Sequence, residues 1–160
     1  MKSMSLSEGA ALPDFALPDE TGTTVSLADL KGSPFVIYFY PKDDTSGCTT
    51  EAIAFSGLRS EFEALGVLVI GVSPDPVKKH VKFKEKHDLT VRLLADEEKA
   101  FLDACGVWVE KSMYGKKYMG VERTTVLADA EGKVIKLWPK VKVPGHAEAV
   151  LEAAKAHASA

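Results

Sequence analysis

The chain has 160 residues, 46% of them apolar and 27% charged, with a net charge of −3 at pH 7, the balance of a water-soluble globular protein. It offers no basic field for nucleic acid or an anionic membrane, and no apolar run approaches the ~18 residues of a spanning helix. A single domain over residues 1–160 is expected, with 1–5 a loose tail, and the opening "MKSMSLSEGAALPDF" lacks an apolar core of signal-peptide length, so the expected compartment is the cytoplasm.

Strand and helix patterns alternate along the chain. "DFALPDETGTTVSL" reads as a small hairpin turning at "DETG", followed by a helical turn at "LADLKG". Residues 34–40, "PFVIYFY", form a continuous β-branched and aromatic run stopped by Pro41, the pattern of a central strand buried on both faces. Phe55, Leu58, Phe62 and Leu65 recur at steps of three and four, predicting one helix from about Ser46 to Leu65, ended by Gly66. "VLVIGVS" is a second buried strand, "DPVKKHVKFKEKHD" a lysine-rich helix, "VRLLA" a short strand, and "DEEKAFLDAC" a helix capped by Asp96. A polar loop, "VEKSMYGKKYMG", leads to two strands joined at "DAEG", and Pro144 starts the closing helix "PGHAEAVLEAAKAHA". The order predicts an α/β fold with a central mixed sheet, helices on both faces and an N-terminal hairpin.

Two cysteines, Cys48 and Cys105, stand outside any CxxC or histidine pairing, which disfavours a disulfide scaffold, a structural zinc site and a dithiol reductase. Cys48 lies in the first turn of the helix predicted from Ser46, seven residues from Phe55 and fourteen from Phe62, and therefore on the inward face. There the helix N–H groups have no intrahelical partners and the dipole is positive, a setting that favours thiolate over thiol. The same amides can hold the oxygens of a small substrate. Thr45 adds a hydroxyl three residues before the sulfur, and Pro41 fixes the chain where the strand ends. The four histidines, His80, His87, His146 and His157, show no ligand spacing and read as surface residues. The lysines of residues 78–86 read as a solvated face, and Trp108 and Trp138 as packing residues.

"PKDDTSGC" resembles the Pro-x-x-x-Thr-x-x-Cys motif of the peroxiredoxins. "LPDETG", "VIYFYPKDDTSGCTTEA", "GVSPD", "GVWVEKSMYGKKYMGVERTT" and "KVKVPGHAEAVLEAA", in that order, are similar to the PrxQ or bacterioferritin comigratory protein subgroup. The resemblance implies a thioredoxin-like fold and a peroxidase for hydrogen peroxide or small alkyl hydroperoxides, with no metal, haem or flavin. Cys48 would be the peroxidatic nucleophile, Thr45 and Pro41 would shape its pocket, and Arg123 in "ERTT" would reach the sulfur from a distant strand. Glu51 and Gly47 would support the substrate pocket. Look-alikes are commonly monomers.

The chain departs from the subgroup in its second thiol. The usual places of the resolving cysteine hold Ile53 and Lys84. Cys105 is the one remaining candidate resolving residue, but as the inward i, i+4 partner of Phe101 it suits core packing, and its Cα should lie beyond the ~7 Å reach of a disulfide to Cys48. The sulfenic acid then awaits an external thiol, small or carried by a thioredoxin-like protein. The motif argues against a glutathione-peroxidase-like activity. A redox sensor or holdase that passes Cys48 oxidation to a partner is the alternative from another class.

Overall fold

The computed structural model describes residues 6–159; the tail expected over 1–5 lies outside them. Chain order is β1 (Ala16–Pro18), β2 (Thr24–Ser26), α1 (Leu27–Leu30), β3 (Phe35–Phe39), α2 (Ser46–Gly57), α3 (Arg59–Ala64), β4 (Leu68–Ser73), α4 (Val77–His87) and β5 (Arg92–Ala95). Then follow α5 (Ala100–Ala104), β6 (Trp108–Met113), β7 (Lys116–Val121), β8 (Thr124–Ala128), β9 (Val134–Trp138) and α6 (His146–Ala158).

Five strands form the central sheet in the order β5-β4-β3-β8-β9. The β3–β4 and β4–β5 pairs are parallel, while β8 runs antiparallel to both β3 and β9. The continuous apolar run of β3 is explained by its central place: all five of its residues are buried. Its side chains alternate between two cores. Phe35, Ile37 and Phe39 face one built with α1, α5 and the N-terminal strands, whereas Val36, Tyr38 and Tyr40 face another built with α2, α3, α4 and α6. The expected mixed sheet with helices on both faces is therefore present, and β1 pairs with β2 as the expected hairpin.

Several boundaries differ from the sequence reading. The helix expected over Ser46–Leu65 is two helices, because the backbone leaves helical geometry at Leu58 (φ −102°, ψ 6°), directly after Gly57, a poor helix former. The inward stripe survives the break, with Cys48, Phe55 and Phe62 all buried. Asp96 is not the N-cap of α5; its own N–H bonds Ser73 O at 2.9 Å, so the chain stays extended and turns before Lys99, the N-cap. The Asp96 carboxylate instead reaches over to accept from Leu102 N at 2.8 Å. Pro144 lies two residues ahead of α6, whose N-cap is Gly145 in the left-handed region (φ 74°).

The expected polar loop after Trp108 is a β-hairpin, β6 paired to β7, closed at Tyr114 and Gly115 with positive φ at both, as a two-residue hairpin turn requires. Both its faces are partly in water, so it shows no clean alternation to read. Two histidines expected at the surface are buried: His80 in α4 and His146 at the start of α6. Among the described residues no helix is long and apolar enough to cross a membrane.

Tyr38 lies across β4 over Gly71. A Cβ at position 71 would come within 2.7 Å of the Tyr38 ring and 2.9 Å of Leu93, contacts that a packed core cannot absorb without moving both side chains. Gly71→Ala is therefore expected to lower folding stability by roughly 1–3 kcal/mol, read as a lower urea midpoint at unchanged m-value.

Candidate active site

The site is assembled where β3 hands over to α2. Tyr40 extends the parallel ladder by one bond, its N–H to Val72 O at 3.0 Å. Pro41 has no N–H and ends it. The chain turns through Asp44, whose φ of 60° is a left-handed conformation that aspartate tolerates better than most residues. Thr45 follows in extended geometry as the N-cap of α2. Its hydroxyl does not cap the helix; it donates to Lys42 O at 2.9 Å, leaving its oxygen lone pairs available as acceptors. The first intrahelical bond runs from Thr49 N to Thr45 O, so Ser46, Gly47 and Cys48 contribute first-turn amides without intrahelical partners. Cys48 is 1% exposed, while Thr45 is exposed and Pro41 and Gly47 are half-buried.

Arg123, between β7 and β8, closes the site from across the sheet. Its Nη2 donates to Cys48 Sγ at 3.3 Å and its Nη1 to Glu51 Oε1 at 2.5 Å. Glu51 is one turn after Cys48 on the same face, so the two side chains present themselves together to one guanidinium. Gly47 makes room for that approach, since a Cβ there would stand 3.2 Å from Arg123 Nη2. Burial opposes the arginine's charge, but Glu51 and Cys48 outweigh it and raise its pKa. Burial also pushes the Glu51 carboxyl up to about 7, with Arg123 pulling the other way. Among the described residues, Glu51 Oε2 and Tyr38 Oη are the buried side-chain atoms without a hydrogen-bond partner.

All the expected site residues except Cys105 fall in this one region. Cys105 is fully buried in the core on the opposite face of the sheet from Cys48. Both thiols are free, and burial, reinforced by Asp96, raises the Cys105 pKa far above the ordinary thiol value.

The sequence reading did not find the groups beneath the site. Asp43 is buried and accepts from Tyr40 Oη at 2.5 Å, while its other oxygen meets His80 Nδ1 at 2.6 Å. His80 Nε2 faces Leu94 O at 3.0 Å. Asp75 accepts from Asp43 N at 2.8 Å and Ser73 Oγ at 2.7 Å. His146, edge-on to Phe55 and Trp138 and 2.8 Å from Thr125 Oγ1, has its pKa lowered to about 4 by burial and then by Arg123. The available signal for His80 was its three-residue step to Phe83, which put it on the buried face of α4.

Residues 9–137 match the AhpC/TSA family. Peroxiredoxin Bcp of Bacillus subtilis is 49% identical over 152 residues, 95% of this chain and 97% of its own length. Peroxiredoxin Bcp of Escherichia coli is 40% identical over 96% of this chain and 98% of its own. Among solved structures, the Xanthomonas campestris bacterioferritin comigratory protein, studied for its alkyl peroxide reduction through trapped intermediate and ligand complexes, superposes with a TM-score of 0.86 at 46% identity, covering 90% of this chain and 92% of that one. A Xylella fastidiosa PrxQ variant reaches 0.92 at 38% identity, covering 98% and 99%. The fold is thus thioredoxin-like, as these neighbours are.

Glu51 provides a pH test of the site's electrostatics. Its folded-state pKa is raised, so whatever stability its protonated form lends is complete below the ordinary value of 4.5 and lost as pH rises towards about 7. The stability difference between wild type and Glu51→Gln should therefore move in the variant's favour between about pH 5 and pH 8, by up to about 3 kcal/mol. Denaturant titrations across that range read it, and a flat difference would mean that Arg123 keeps the carboxylate ionised throughout.

Proposed function

Because the chain belongs to the AhpC/TSA family, among peroxiredoxins of the Bcp/PrxQ kind, we propose that it reduces hydrogen peroxide and small alkyl hydroperoxides with Cys48 as nucleophile. The observation that carries this reading is the 3.3 Å contact from Arg123 Nη2 to Cys48 Sγ in the first turn of α2. A cation and first-turn amides without intrahelical partners lie beside this thiol.

The Cys48 thiolate attacks one peroxide oxygen in line with the O–O bond. An S–O bond forms, the O–O bond breaks with its electron pair going to the departing oxygen, and that oxygen leaves as hydroxide or alkoxide and takes a proton from solvent. Cys48 becomes a sulfenic acid. Arg123 Nη2 and the first-turn amides are donors already in place for the negative charge that develops on oxygen, so no reorganisation is needed as the bond breaks. Thr45, its proton committed to Lys42 O, can accept from the peroxide O–H and orient it. Pro41 and Gly47 border this space.

A thiol then attacks the sulfenic sulfur, releasing water and leaving a mixed disulfide, and a second thiol displaces Cys48 as thiolate. Both thiols come from outside the chain, from a thioredoxin-like protein or a small reductant. Cys105 does not take part, because the central sheet separates it from Cys48 and because its raised pKa opposes forming the attacking thiolate. A reducing cytoplasm, where both cysteines stay free, suits such a cycle, and a monomer suffices for it.

Cys48→Ser should abolish turnover, and Arg123→Lys should lower the second-order rate with hydrogen peroxide by roughly 10- to 1000-fold. A sensor would instead stop consuming peroxide after one equivalent despite added thiol. Cys105→Ser should keep wild-type turnover; a peptide joining Cys48 to Cys105 in oxidised wild type, with turnover lost in the variant, would make Cys105 the resolving residue.

A further inference from the structure

His80 has no role in the reaction just described, yet it is fully buried and joins two parts of the molecule that meet at the site. We propose that His80 is a positioning residue for peroxide reduction: by holding the Asp43 carboxylate it fixes the Pro41–Thr45 loop, and with it the start of α2 under Cys48. This rests on the peroxidase reading.

The loop has every reason to need an anchor. It follows the last ladder bond of β3 and must reverse within a few residues, passing through a left-handed aspartate at position 44, to deliver Thr45 as the N-cap of α2. Short loops of this kind hold one geometry only where surrounding groups over-determine them. Asp43 meets that need with three bonds in three directions: Tyr40 Oη at one carboxylate oxygen, His80 Nδ1 at the other, and its own N–H to Asp75. The Tyr40 and Asp75 anchors belong to the carboxyl ends of β3 and β4. His80 ties the loop to α4 from its buried side, while Lys86 Nζ at 2.7 Å and His87 Nε2 at 2.8 Å hold Asp44 from the exposed side.

The proton count gives His80 its direction. The Leu94 carbonyl can only accept, so Nε2 carries a hydrogen and points it there. Nδ1 and Asp43 Oδ2 lie 2.6 Å apart, a short hydrogen bond in a dry setting where such a contact is strong and geometrically exacting. The ring thus spans from β5 to the loop, a rigid buried link beside the Tyr40 and Asp75 bonds, whereas the Lys86 contact to Asp44 on the outer side runs through a flexible chain. Misplacing a substrate-contacting group by about 1 Å can cost on the order of 10²-fold in rate. Thr45, two residues after Asp43, is the group that would be misplaced.

The two ring nitrogens can be tested separately. His80→Asn keeps an amide donor near Nδ1 for Asp43 and loses the Leu94 bond; His80→Gln keeps a donor near Nε2 for Leu94 and loses Asp43. The readout is the second-order rate of Cys48 oxidation by hydrogen peroxide, with thermal midpoints recorded alongside so that rates are compared where every variant is folded. The expected result is a rate within about 3-fold of wild type for His80→Asn and a fall of about 10- to 100-fold for His80→Gln. A structural role alone would lower both midpoints without separating the two rates, and equal rates overturn the assignment. Should either variant fail to fold, Tyr40→Phe removes one hydroxyl from the other Asp43 oxygen and keeps the ring. It should slow oxidation in the same way, and an unchanged rate there overturns the proposal too. An inactive wild type would remove the peroxidase reading, and this one with it; an active wild type with matched His80 variants removes only this one.

Discussion

Everything at the site hangs on one guanidinium shared between a sulfur and a carboxylate. Arg123 is 75 residues from Cys48 and 72 from Glu51, so the contact exists only because β8 lies beside β3 in the sheet. The start of β8 pairs with the end of β3, Thr124 opposite Phe39, which puts the residue before β8 at the sheet end from which α2 departs. Antiparallel pairing of β8 with β3, at the border of the parallel β5-β4-β3 half of the sheet, is what brings the arginine to the helix start. Charge-assisted bonds to both partners then hold the fork in one orientation, and Gly47 keeps its path open. A shift of β8 by one residue would send Arg123 to the other face.

The same sheet decides the fate of the second thiol. Because β3 alternates between two cores, Cys48 is packed with Phe55 and Tyr38 on one side, and Cys105 with Phe101 and Leu102 on the other. No side-chain motion joins sulfurs through a layer of paired strands; the chain would have to unfold locally. On the near side, Ile53 is 49% exposed on α2, and Lys84 of α4 holds Glu20 at 3.0 Å. Where look-alikes carry a resolving thiol, this chain has an exposed apolar side chain or an ion pair.

The fold was legible wherever burial imposed a period. β3 showed as an unbroken apolar run because both its faces are covered, and Cys48, Phe55 and Phe62 showed at seven-residue steps because α2 and α3, though separate, present one face. The β6–β7 hairpin was not legible: Met113, Tyr114, Tyr118 and Met119 are all exposed, so no buried face left its alternation in the sequence. Within the site, local pattern alone pointed to Cys48, Thr45 and Pro41. Arg123 came through the motif resemblance, since nothing in "GVERTT" marks a partner so distant in sequence. Asp43 and His80 escaped because each sits in a stretch that looks solvated, "PKDD" and "VKKHVKFK". Their burial is a tertiary fact, created when α4 packs its single phenylalanine face against the end of the sheet.

Burying these charges carries a cost that bears on how the site works. An unpaired carboxylate in such a place is strongly disfavoured, and Asp43 is tolerated because both oxygens and its own N–H are satisfied. Glu51 is satisfied at one oxygen only, and burial lifts its carboxyl to about 7; Asp43 has a full set of partners and can serve as a fixed anchor. The two acids thus divide the work by their surroundings. Asp43 is locked to the scaffold below the loop, and Glu51 remains poised beside the arginine, able to gain or lose a proton near neutral pH. Since Arg123 lies between Glu51 and Cys48, the charge on Glu51 sets how much of the guanidinium's field is left for the sulfur.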